Sequence, residues 1–231
     1  MPIVNLYSLS HYNFGAKETK VEKDTSVPAR FARLRQIYEK EGMRISVAGV
    51  LLVQEHNYPH LLLLEIGGTF NKLPGGRLKP GENGRILNFH LFSMINYLII
   101  GVLGYPNLLF VLLFFNLTEI EGLKRKLTSK LGPRLQNLVP NWKIGECVAR
   151  WWRPNFEKFM YPHCPAHIKK PKECRVLYMV HLSDSGDFEV PENLKLLAVP
   201  MFELYDNAQR YGPVISSIPE QISRFEFRMN N

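Results

Sequence analysis

A chain of 231 residues with 45% hydrophobic content is long enough to enclose a real core and too apolar to be globally disordered. Its formal net charge of +8 favours a polyanionic partner, with nucleic acid ahead of an anionic membrane. The three cysteines, Cys147, Cys164 and Cys174, are too few and too scattered for a disulfide framework, and no basic-then-apolar leader opens the chain, so a reducing compartment, cytosol or nucleus, is expected.

Residues 1–21 are polar and aromatic without convincing periodicity. Asp24-Thr25-Ser26 then offers capping side chains, and Pro28 suits a first helical turn. Phe31, Leu34, Ile37 and Tyr38 recur at three- and four-residue steps and predict a helix through Lys40, stopped by Gly42. Arg30, Arg33 and Arg35 punctuate that helix. Ile45–Val53 and Leu61–Ile66 are β-rich runs around a polar turn and predict a hairpin, the second strand covered on both faces. Gly67-Gly68-Thr69-Phe70-Asn71 predicts a short loop with Phe70 at a mobile edge.

Two separated stretches follow that belong together. Lys72-Leu73-Pro74-Gly75-Gly76-Arg77-Leu78-Lys79-Pro80-Gly81-Glu82-Asn83 opens a loop–helix motif, and the run from Glu119 to Gly132 completes it. Between them, residues 84–118 carry no ionisable side chains except Arg85, His90 and two tyrosines. With that segment removed, Gly76, five residues, Glu82, seven residues and Arg125 fall into the spacing of a Nudix box. The pattern would continue with glutamates, but those slots hold Lys126, Ser129 and Lys130, while Gly132 keeps its place. Diphosphate cleavage of the Nudix type needs carboxylates to hold Mg²⁺, and an ammonium offers no acceptor and repels the cation. No catalytic residue, metal ligand or cofactor is therefore expected. Glu82, Glu119 and Glu121 are expected to be solvated charges at the helix start. Thr118 with Glu121 predicts a capping box, so that the helix begins there and presents Ile120, Leu123, Leu127 and Leu131 on one face.

Downstream, Leu135–Asn141 reads as a linker and Trp142–Trp152 as one or two strands. Pro154–Pro171 predicts an ordered but irregular loop, Val176–Leu182 a strand with its turn at Ser183–Asp187, and Leu194–Val199 another strand. Pro200 opens a short helical stretch, and Ile218, Ile222 and Phe225 have helix-like spacing in the tail. The cluster His163-Cys164-Pro165-Ala166-His167 with Cys174 invites a zinc reading, yet its spacing matches no standard ligand pairing, so a structural loop is expected. The segment 84–118 exceeds the roughly 20 residues that span a bilayer, but Gly101, Gly104, Pro106 and several asparagines break it, and no membrane insertion is expected. Its dominant Leu, Phe, Ile, Asn and Tyr have many A/T-rich codons, and its end, Phe110–Thr118, is what translating a pyrimidine-rich tract would give, so a retained intron is expected. The expectation is one domain over 1–231 with an excursion that the fold does not need.

Beyond the box, Ala29-Arg30-Phe31, Lys72-Leu73-Pro74-Gly75-Gly76, Trp151-Trp152-Arg153-Pro154-Asn155-Phe156, Pro165-Ala166-His167-Ile168, Phe202-Glu203-Leu204-Tyr205-Asp206-Asn207 and Tyr211-Gly212-Pro213 occur in an order that resembles the small Nudix subunits of pre-mRNA cleavage factor I. The resemblance covers nearly the whole chain apart from 84–118. It implies an α/β fold, a Nudix-like α/β/α sandwich with a mixed sheet, the box helix preceded by the apolar insertion. It also implies a nuclear, homodimeric protein that reads UGUA elements in single-stranded pre-mRNA, lacks hydrolase activity, and pairs with a larger subunit carrying an RNA-recognition motif. The positions matching the family's RNA contacts are Glu22, Arg30, Thr69, Phe70, Leu73, Tyr211 and Gly212. Their chemistry suits base reading, since Phe70 can stack on a base, Arg30 can donate, and Glu22 can accept from base edges. Two positions depart from the family, with Ala48 where it has a base-contacting glutamate and Asn71 where many members have a second aromatic. The alternatives are a working Nudix hydrolase with carboxylates from outside the box, and a membrane-associated protein anchored by the insertion.

Overall fold

A computed structural model describes residues 1–19, 24, 26–79, 82 and 108–230, the side chains of 108–118 and 136 excepted. The expected fold class is what it shows. A mixed seven-stranded sheet is built from β3 (Arg44–Glu55), β4 (Tyr58–Ile66), β5 (Phe70–Lys72), β6 (Gly75–Arg77), β7 (Lys143–Arg153), β8 (Glu173–His181) and β10 (Leu194–Pro200). The main path runs β10-β4-β3-β8-β7, with β5 paired to β4 and β6 to β3. Only the β3–β8 pair in this sheet is parallel.

The sheet is covered on both faces, and β3 shows why. Ile45 to Gln54 are all buried, so the strand has no solvent side and its sequence reads as a continuous apolar run. Side chains alternate between two cores. Ala48, Val50, Leu52, Leu61, Leu63, Leu177 and Met179 meet the C-terminal helices α3 (Met201–Leu204), α4 (Ala208–Ser216) and α5 (Ile218–Gln221). Val47, Leu51, Val53, Leu62, Leu64, Val176 and Val180 meet Leu123, Leu127 and Leu131 of α2 (Leu108–Leu131). Each of those helix leucines is fully enclosed, contributing roughly 1.5–3 kcal/mol of transfer free energy. Gly49 permits the close approach of α2, since a Cβ there would lie 2.9 Å from Val180 and 3.4 Å from Leu127.

The hairpin between β3 and β4 closes through His56 and Asn57, both at positive φ (51° and 62°), as a two-residue turn requires for matching strand twist. Helix α1 (Val27–Glu41) starts where the capping residues predict: Ser26 Oγ accepts from the Ala29 amide at 3.2 Å, and Gly42 ends it at φ 73°. The loop 154–172 is irregular, held by paired backbone bonds between Trp152 and Tyr161.

Six strands depart from the reading of the sequence: β5 and β6 replace the loop expected from Gly67 into the box, so that Phe70 opens a strand paired antiparallel to β4, and four others lie elsewhere. β1 (Ile3–Tyr7) and β2 (Tyr12–Lys17) occupy the stretch read as aperiodic, β9 (Gly186–Pro191) follows the turn after β8, and β11 (Glu226–Asn230) ends the described chain. Their pairings are parallel and distant in sequence, β1 with β11 and β2 with β9, so no local turn announces them. A further correction concerns α2. It begins at Leu108 rather than Thr118, so Thr118 is no cap and the last eleven residues of the inserted segment continue the box helix. The rest of that segment lies outside the described residues.

Candidate functional site

The box assembles as architecture. Arg125 donates to both oxygens of Glu82, at 2.8 and 2.5 Å, across 43 positions of sequence, and the Lys79 amide also donates to Glu82 at 2.7 Å. Glu82 thus ties the loop to the helix, and Arg125 with Lys79 outweighs partial burial to hold its carboxyl below the usual range. Gly122 has no room for a side chain, because a Cβ would lie 2.2 Å from Leu78 Cδ2. The stem of Lys126 lies over Gly76, 3.2 Å from where a Cβ would stand. An ammonium side chain therefore crosses the loop at the first glutamate slot.

The expectation that Glu82, Glu119 and Glu121 are solvated holds for Glu121 alone, which is exposed and paired with Lys124. Glu119 is buried at 4% exposure, accepting from the Tyr178 hydroxyl at 2.6 Å and from Arg150 at 3.4 Å. Burial, reinforced by this carboxylate, pushes the Tyr178 phenol well above its ordinary range. Glu119 thus braces the helix against the sheet. Among the described residues, no three His, Cys, Asp or Glu side chains group as a cation site, and the Cys164 thiol points at the Ile168 carbonyl, 3.6 Å away.

Two of the positions matched to RNA contacts, Leu73 and Tyr211, lie on the opposite face of the sheet. Leu73 and Tyr211 are buried in one apolar cluster with Ala48 and Trp151. The Tyr211 hydroxyl donates to Glu203 Oε1 at 2.5 Å, which fixes the ring, and burial followed by this carboxylate pushes its pKa up to about 12. Arg210 also donates to Glu203, at 2.6 Å, and its guanidinium lies 5.2 Å from the Tyr211 ring centroid. Gly212 takes φ 78°, which a side chain would strain, and breaks α4 before Pro213. Thr69 sits in the turn after β4, with its amide donating to Ile66 at 3.4 Å. Phe70 opens β5 opposite Ile66 and is 52% exposed, so a large aromatic ring is available to a partner. Glu22 lies outside the described residues.

Arg30 belongs to a neighbouring basic group. Its charge acts on Arg44 and Arg175, which both face Glu173. Glu173 is 1% exposed and is met by Arg153 at 3.0 Å, Arg44 at 3.5 Å, Arg175 at 3.7 Å and the Ser46 hydroxyl at 3.0 Å. Burial alone would raise its pKa, but Arg44, Arg175 and Arg153 hold it down at about 2. Burial also pulls Arg44 and Arg175 below the ordinary arginine range, against the opposing pull of Glu173. Strand register joins this group to the apolar cluster: Arg44, Glu173 and Arg153 form one row, Ser46, Arg175 and Trp151 the next, and Ala48 with Leu177 the row after. From Arg44 to Ala48 is about 13 Å along the strand.

Arg44, Ser46, Trp151, Glu173 and Arg175 were not singled out from the sequence. The available signal was a run of charge inside apolar strands, Glu173 and Arg175 flanking Cys174, which only burial with partners makes tolerable.

Comparison with known proteins bears on the same chain. The family profile NUDIX_2, described as nucleotide hydrolase, matches residues 2–96 and 112–225. The pre-mRNA cleavage factor Im 25 kDa subunit 2 of Arabidopsis thaliana is 60% identical over 227 residues, covering 98% of this chain and 96% of its own. The cleavage and polyadenylation specificity factor subunit 5 of Dictyostelium discoideum is 43% identical over 226 residues, covering 97% and 94%. The Arabidopsis pre-mRNA cleavage factor Im 25 kDa subunit 1 is 42% identical over 227 residues, covering 98% and 86%.

Proposed function

The chain belongs to the NUDIX_2 family, among the pre-mRNA cleavage factor Im 25 kDa subunits, and from that membership we propose that it reads single-stranded RNA without hydrolysing nucleotides. Its role is in pre-mRNA cleavage and polyadenylation. The setting is the nucleus, where it acts with other cleavage factor subunits, as a homodimer with a larger subunit that carries an RNA-recognition motif. The recognised element is of the UGUA type. Catalysis is absent because Lys126 and Lys130 place positive charge, and Ser129 a neutral hydroxyl, where a metal would need carboxylates. The residues 84–118 are an excursion within a single domain.

One observation carries the RNA reading: the half-exposed Phe70 ring opens the short strand β5 that leads into Leu73 of the Leu73–Tyr211 cluster, and strand register joins that cluster to Arg175, two residues from Leu177, and Arg44, four residues from Ala48. Bases splay from single-stranded RNA onto such rings, and their edges are then read by nearby polar groups. Phosphate attraction to the arginines adds affinity without sequence information. Binding of the full chain to UGUA-containing and scrambled oligonucleotides, with and without Phe70→Ala, tests this. Selective binding is expected, with the alanine variant weaker by about 1–3 kcal/mol. Equal affinity for the two RNAs ends the sequence-specific reading and leaves only charge attraction.

A further inference from the structure

The small sheet of β2 and β9 ends in an edge that lacks the usual protection. Among the described residues β9 is the only strand paired with β2, and none of those residues forms a strand on its other side. Asn13, Phe14, Gly15 and Ala16 are all exposed. An edge of this kind presents backbone donors and acceptors to solvent, and proteins blunt it with charge, proline or a bulge. These four positions carry no charge and no proline, and the ladder to β9 runs from Tyr12 to Lys17 without a shift. Each face of the strand has its own chemistry. On one, the Phe14 ring stacks on buried Phe188 at 5.9 Å between centroids, yet is 49% exposed. On the other, the Asn13 side-chain amide donates to Asp187 at 2.8 Å, and Gly15 stands opposite Glu189. Glu189 Cγ lies 3.1 Å from where a Gly15 Cβ would be, so the acidic side chain leans across β2 into the room that glycine leaves.

We propose that the free edge of β2 is a docking site for an extended basic segment of a partner protein, added to β2 as a strand. Charge selects that occupant. Asp184, Asp187, Glu189 and Glu192 lie within residues 183–193, which contain no lysine or arginine although the chain as a whole has a net charge of +8. Two cations beside the edge are engaged elsewhere. Lys17 Nζ donates to the Gly132 carbonyl at 2.7 Å, just past α2, and the Arg134 guanidinium meets Glu18 at 3.6 Å. The main chain of the added segment completes the ladder, while its alternate side chains lie on Phe14 and above the carboxylates. Strands stand about 4.8 Å apart, so a lysine or arginine of the added strand reaches Glu189 across the gap at Gly15. A second copy of this chain, edge to edge, would bring carboxylates to this face rather than cations. RNA is repelled by the same carboxylates, and the proposal does not depend on the RNA reading.

The experiment titrates the isotopically labelled full chain with the end-capped peptide Arg-Val-Arg-Val-Arg-Val and with its Glu-Val-Glu-Val-Glu-Val counterpart, following backbone amide shifts. The unmodified protein is compared with Gly15→Lys and Glu189→Gln, and thermal unfolding of each is recorded. Gly15→Lys sets an ammonium in the gap, where its Cβ meets first the flexible Glu189 side chain. Glu189→Gln keeps an acceptor for the Arg134 amide, which donates to Glu189 at 3.0 Å. The arginine peptide is expected to shift the amides of residues 13–16, and the glutamate peptide to leave them unmoved. Gly15→Lys should weaken the arginine peptide about tenfold, by setting like charge against it. Glu189→Gln should weaken it about fivefold, the upper end for one exposed ion pair. No shift at residues 13–16, an equal response to the glutamate peptide, or unaltered affinity in both variants would overturn the proposal. Self-association of the full chain that Gly15→Lys abolishes would also overturn it, by making the edge an interface between copies. Should Gly15→Lys lower the unfolding midpoint, Glu189→Gln and the choice between the two peptides decide the outcome.

Discussion

Glu173→Gln should destabilise the protein strongly at neutral pH and much less in acid. The carboxylate is 1% exposed and lies within 3.7 Å of three guanidinium groups, so replacing it with a neutral amide leaves buried positive charge uncompensated. Two routes give the magnitude. The drop in pKa from 4.5 to about 2 corresponds to roughly 3 kcal/mol, at 1.36 kcal/mol per unit. Removing one partner of a buried pair costs roughly 3–5 kcal/mol in general, and retained hydrogen bonding by glutamine argues for the lower end. Because the folded pKa is depressed, the stabilisation is complete above about 4.5 and is lost as pH falls through about 2. The gap between the two proteins should shrink from roughly 3 kcal/mol at pH 7 to roughly 1 kcal/mol at pH 3. Urea unfolding at both pH values measures it, through midpoints at constant slope. Equal stability at pH 7, or a gap that persists undiminished at pH 3, would refute the account of this group.

Other expectations bear on the box helix and the inserted segment. No metal-dependent hydrolysis of nucleoside diphosphate derivatives or capped oligonucleotides is expected with Mg²⁺ or Mn²⁺; turnover above a blank that Glu82→Gln abolishes would contradict the substitution of Lys126, Ser129 and Lys130 for carboxylates. Tyr178→Phe removes the 2.6 Å donor to buried Glu119 and should cost about 1–3 kcal/mol in equilibrium unfolding, more than Glu119→Gln, which keeps an acceptor for the same hydroxyl. An unfolding midpoint unmoved by Tyr178→Phe would remove the Glu119 bond from the core account. Deleting residues 84–118 should leave a cooperative fold and the RNA affinity in place, since Glu82, Arg125 and the three helix leucines remain. A deletion variant that cannot fold, beside a soluble and cooperative full chain, would make the segment part of the core.

The sequence by itself determined the elements whose causes are local. Ser26 and Gly42 bound α1 because caps act within one turn, and the uninterrupted burial of β3 and β4 was legible as unbroken apolar runs. The interrupted box was equally legible: its spacing survives the insertion, and loss of the carboxylates is a matter of residue identity. Tertiary structure alone decided what depends on distant partners. β1 and β2 became strands through parallel pairing with β11 and β9, contacts that leave no turn signal in the chain. It also settled the fate of charges that look alike in sequence. Glu121 is solvated, Glu119 is enclosed by Tyr178 and Arg150, and Glu173 is enclosed by three arginines. Whether a carboxylate is buried depends on donors brought from other strands, and their register, absent from any local pattern, supplies them. The same register places Arg175 and Trp151 beside the Leu73–Tyr211 cluster, a neighbourhood that exists only when the sheet forms.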